Sequence, residues 1–135
     1  MLRTPPQCIA WAFSLWLVCL TAHAELDGLD MYVYVEISVR EATVEGMRQR
    51  LALLKRSDYS KDADNAIDAQ TRVRVSNVYT QFGTTAAAHV AYANRNAAAL
   101  DSWLVANPAW RQKYAELDSQ FRSLSEQLNA SRRAP

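Results

Sequence analysis

Apolar residues recur most regularly near the end of the chain. Trp110, Tyr114, Leu117, Phe121, Leu124 and Leu128 follow one another at steps of four and three. That spacing lines side chains up on one face of an α-helix. The intervals are polar, with Arg111, Gln112, Glu116, Asp118, Gln120 and Arg122 among them. The pattern predicts an amphipathic helix with the narrow stripe used by coiled coils and bundles. Asn107 suits the cap before it, and Pro108 suits the first helical position, where no N–H is needed.

A second helix is expected over 84–106. Gly83 suits the left-handed residue that ends the helix before it, and Thr84 or Thr85 suits the next N-cap. On a wheel, Ala86, Val90, Ala93, Ala97, Leu100 and Leu104 share one side, a seam of small residues fit for close packing. A second line, Thr85, Tyr92, Asn96 and Trp103, runs beside it, and His89 falls between the two. A third helix is expected over 63–82, with Ile67, Val75, Val78 and Phe82 along one side and a cap at Ser60 or Asp62. Val44, Met47, Leu51 and Leu54 predict a fourth helix further upstream, with Lys55 and Arg56 in its last turn, where cations suit the helix dipole.

Two stretches carry a different signal. MYVYVEISV, residues 31–39, alternates over nine positions and is rich in β-branched and aromatic residues, which suits a strand. TRVRV, residues 71–75, does so more briefly. An isolated two-stranded ribbon is marginal in water. Read as helix, 31–39 runs into the segment after it and sets Glu36 and Arg40 as an i, i+4 pair. The helical reading fits the rest of the chain. The expected fold is therefore all-α, a small three- or four-helix bundle, with α+β as the alternative if 31–39 and 71–75 are strands.

The first residues change the inventory. Arg3 precedes IAWAFSLWLVCL, residues 9–20, and Ala22-His23-Ala24 offers small residues where a signal peptidase reads. Twelve apolar residues fall short of the roughly 20 that span a bilayer as a helix. Residues 1–24 are thus expected to be a secretory signal peptide, and 25–135 a single helical domain. The product would be exported, to the periplasm if the source is a Gram-negative bacterium and otherwise secreted. A stable membrane span is not expected after cleavage.

Both cysteines, Cys8 and Cys19, lie in that leader. The exported chain would have no disulfide, thiolate nucleophile or cysteine metal site, so core packing must hold it. Of fifteen basic residues Arg3 is in the leader, and the rest balance fourteen acidic ones. No basic stripe marks a nucleic-acid face.

Chemistry is sparse. His89 is the one histidine outside the leader. A haem would need it paired with Met31 or Met47, and there is no C-x-x-C-H. Asp58, Asp62, Asp64 and Asp68 lack the glycine and glutamate of a calcium loop, and helix capping and solvation account for them. No metal and no cofactor is expected. No G-x-S-x-G, H-E-x-x-H or P-loop points to catalysis. Glu36 lies in line with Met47, Leu51 and Leu54, and is expected either to pair with Arg40 or to sit partly buried with a raised pKa.

The expectation that follows is a small exported helical interaction or binding protein without catalytic activity, restraining or scaffolding an envelope or secreted partner, or associating with itself. His89, Tyr92, Asn96 and Trp103 are its candidate surface. The alternative is a carrier or sensor of a small ligand held between helices near His89, marked by an apolar cavity lined by His89 and Tyr92.

Overall fold

The computed structural model describes residues 28–133, so the expected leader lies outside the described residues. Four helices follow in order: α1 Gly28–Leu54, α2 Lys61–Gln81, α3 Ala86–Ala106 and α4 Pro108–Arg133. The fold is an all-α bundle. Residues 31–39 are helical within α1 and 71–75 within α2, and there is no strand among the described residues. None of the helices is long and apolar enough to cross a membrane.

The packing explains why 31–39 reads like a strand. α1 is the central helix, with α2 and α4 both packed extensively along it and α3 touching it more lightly. Val33, Ile37, Val44 and Leu51 join Leu117, Leu124 and Leu128 of α4 and Leu100 of α3 in the main core. Val35, Gly46 and Leu53 are buried as well but lie outside that cluster. Gly46 meets Thr71 of α2, and Val35 shares a cleft wall with Phe82. A helix covered on two sides buries residues two apart, such as 33, 35 and 37, and loses the one-sided stripe of a surface helix.

The turns follow local chemistry. Ser60 caps α2, accepting a hydrogen bond from Ala63 N at 3.1 Å. Asp64 is not a solvated capping residue. It is buried and held bidentate by Arg50 of α1, at 2.7 and 2.8 Å. Lys55 and Arg56 lie just past the end of α1, and Arg56 pairs with Asp58 across the turn. α2 closes in a Schellman arrangement: Gly83 has φ 65°, its N–H donates to Thr80 O, and Thr84 N donates to Tyr79 O. Thr85 then caps α3 through Ala88 N at 3.1 Å. Pro108 opens α4 as its position predicts. The Asn107 side chain serves the helix before it instead, donating to Trp103 O at 2.8 Å.

Two stripes differ from the wheel. On α3, Ala86, Val90 and Ala97 are exposed, and His89 and Leu100 are buried. The seam is therefore split: Ala93 and Leu100 pack inward beside His89, while Ala86, Val90 and Ala97 face out. The cause is the neighbour: α1 presents an acid and aromatic rings there, which alanine cannot satisfy or fill. On α4, Phe121 is exposed although it shares the apolar stripe. α3 meets α4 near Trp103 and Trp110, about three turns away, and leaves that flank uncovered.

Candidate functional site

Glu36 is the node of the site. It lies midway along the apolar half of α1, and each of the other helices sends a residue toward it. Arg40, one turn on, donates from Nε to Oε1 at 2.7 Å. His89 of α3 places Nε2 2.8 Å from Oε2. The phenol of Tyr114, from α4, approaches the same carboxylate as a hydrogen-bond donor. Arg40 also pairs with Asp118 of α4 and lies 4.2 Å over the ring of Tyr114. Tyr79, from α2, tilts against the imidazole with ring centres 5.5 Å apart.

These partners set the charge state. Burial alone would raise the pKa of Glu36. The hydrogen bonds from Arg40 and His89, with the positive charge of Arg40, outweigh burial and hold it below its usual value. Tyr114 is pushed up, first by burial and then by the Glu36 charge, and Tyr32 and Tyr79 shift the same way for the same two causes. Of the two expectations for Glu36, pairing with Arg40 is found and a raised pKa is not.

An ionised carboxylate only accepts hydrogen bonds, so Nε2 of His89 is the donor and bears a proton. Nδ1 has no hydrogen-bond partner among the described residues. No buried polar side-chain atom among them is left unpaired, so Nδ1 keeps access to open space. That space is a cleft of about 350 Å³, between the first turns of α1, the α2–α3 turn and the first half of α3. His89 is 5% exposed and lines the cleft with Tyr32, Tyr92, Phe82, Met31 and Arg95. Tyr32 stacks on His89 at 4.1 Å and 12°, and on Tyr92 at 5.5 Å and 19°. The three rings form one near-parallel stack with Tyr32 in the middle.

The four residues singled out on α3 separate. His89 and Tyr92 come together at the cleft. Asn96 turns its side chain back to Tyr92 O at 2.8 Å, at a point where its own φ of −118° and ψ of 19° kink the helix. Trp103 packs against Trp110 at the edge of the core. His89 is buried and the other three are half-buried. Met31 shares the cleft with His89, and Met47 belongs to the core. Among the described residues no group of three or more His, Cys, Asp or Glu side chains is placed to hold a metal ion.

Tyr32, Tyr79, Tyr114 and Arg95 were not marked by the sequence pattern. One signal pointed toward them. A Glu–Arg pair inside the most buried helix must be met by polar groups from elsewhere, because a buried charge is costly without partners.

Chemically, the site presents an imidazole oriented by a carboxylate, with its second nitrogen at an aromatic cleft. Such a nitrogen accepts a hydrogen bond or a proton from a bound molecule. No family model matches the chain, and neither a curated protein nor a solved structure matches it.

Proposed function

We propose that this is an exported binding protein that holds a small ligand in the cleft beside His89, as a carrier or sensor without catalysis of its own. One observation carries the reading: an apolar cleft lined by His89 and Tyr92, with the imidazole held by Glu36 through Nε2 and its Nδ1 without a hydrogen-bond partner among the described residues. The volume of about 350 Å³ lies in the range of small-molecule sites, which join apolar walls to a few placed polar groups. Export rests on the leader pattern of residues 1–24. The test is native mass spectrometry of the protein isolated from its own compartment. An added small mass is expected, and Ala88→Trp, at an exposed position on the cleft wall, should remove it. A bare wild-type chain, or a mass that survives Ala88→Trp, would sink the reading.

A second reading, interaction with a protein partner, is favoured by the outer face of α3. Val90 is 57% and Val105 67% exposed there, with the exposed Ala86, Ala87, Ala97 and Ala98 on the same helix. Val90→Glu should abolish such association and leave the cleft ligand in place.

A further inference from the structure

The lining of the cleft is one-sided in charge. Among the described residues no aspartate or glutamate belongs to it, and Glu36 sits behind the imidazole, already bound to Arg40. Arg95 is the cationic group on the wall. It is exposed and has no ion pair or hydrogen bond among the described residues. The arginines along α1 and α2 are each engaged, Arg40 by Glu36, Arg48 by Gln120, Arg50 by Asp64, Arg72 by Asp68 and Arg74 by Gln49. Arg95 lies one turn beyond Tyr92, whose ring ends the stack. The cleft therefore combines three elements: ring faces and edges, an acceptor nitrogen at its inner wall, and an uncommitted guanidinium at its rim.

We infer that the ligand is a small aromatic acid carrying a ring O–H or N–H, with its carboxylate at Arg95, its ring against the edges of Tyr32 and Tyr92, and its donor at Nδ1 of His89. This rests on the cleft reading above and narrows it. Each part answers a feature of the wall. An aromatic ring can lie edge-on to the stacked rings, one of the geometries such pairs prefer. A guanidinium matches a carboxylate in shape and charge. A donor satisfies the nitrogen that Glu36 leaves as an acceptor. A cationic ligand would meet Arg95 with no acid on the wall to offset it.

The test uses three probes on the purified protein, 4-hydroxyphenylacetate, phenylacetate and 4-methylphenol, with Kd read by calorimetry and amide shifts of Tyr92 and Arg95 read by NMR. The first probe should bind tightest. Loss of the hydroxyl should weaken it by about tenfold, the cost of an unmet acceptor. Arg95→Gln should weaken both acids about threefold and leave 4-methylphenol unchanged, with Arg95→Lys restoring part of the loss. The inference falls if 4-methylphenol binds as well as the acid, or if Arg95→Gln weakens all three alike. It falls too if none of the three binds. A natural small mass that persists in the native spectrum would then keep the cleft reading while the ligand class is discarded.

Discussion

At the scale of single residues, the depressed pKa of Glu36 links stability to pH. Its folded pKa lies below the ordinary value of 4.5, so the folded state binds this proton less readily than the unfolded one. The stabilisation is complete above that ordinary value and is lost as pH falls through the folded pKa. Glu36→Gln should cost on the order of 2–3 kcal/mol at pH 7, because Arg40 and His89 lose a charged acceptor. It should also flatten the acid side of the stability curve, as denaturant midpoints between pH 3 and 7 would register. An unchanged acid slope would show that Glu36 does not carry this linkage. Alkaline titration gives a second view. Tyr32, Tyr79 and Tyr114 should ionise later than an ordinary tyrosine, each held up by burial and by the Glu36 charge. In Glu36→Gln their tyrosinate absorbance should appear earlier.

At the scale of elements, the contact between α1 and α2 depends on one missing methyl group. A Cβ at Gly46 would lie 2.1 Å from Thr71 Oγ1, 2.6 Å from its Cγ2 and 2.9 Å from its Cβ. Gly46→Ala should therefore destabilise the fold by about 1–3 kcal/mol, as overpacking does, despite the better helix propensity of alanine. Thr71→Ala in the same chain should recover part of the loss, and a double-mutant cycle in denaturant would measure the coupling. Helix ends were the most legible feature of the sequence. Ser60, Gly83, Thr85 and Pro108 act through their own backbone, so neighbours do not alter their meaning. Faces were less legible. The two-sided cover of α1 disguised a helix as a strand, and the buried side of α3 is shifted toward His89, which pairs with Glu36, 53 residues away. The lone histidine was marked from composition. Its partners were not, since the spacing of Tyr79, His89 and Tyr114 along the chain says nothing of their meeting at one carboxylate.

At the scale of the whole molecule, the helices are not equal partners. α2 and α4 are fastened along α1, and α3 is held by fewer contacts and broken at Asn96. Local opening draws on regions with little buried apolar contact. Amides of 90–99 should therefore exchange with solvent before those of 33–51, and saturating the cleft should slow 88–95 more than 98–106. Uniform protection along α3 would mean that its two halves move as one body. The central place of α1 has a further consequence, in the order of synthesis. The segment that every other helix packs against is made before its covers. Its apolar side toward α4 stays open until residues 117–128 arrive, more than sixty positions after Leu54. Lasting shelter for that side comes only with α4. Until α4 is made, the residues most prone to stick to other chains are those of 33–51 that it will cover.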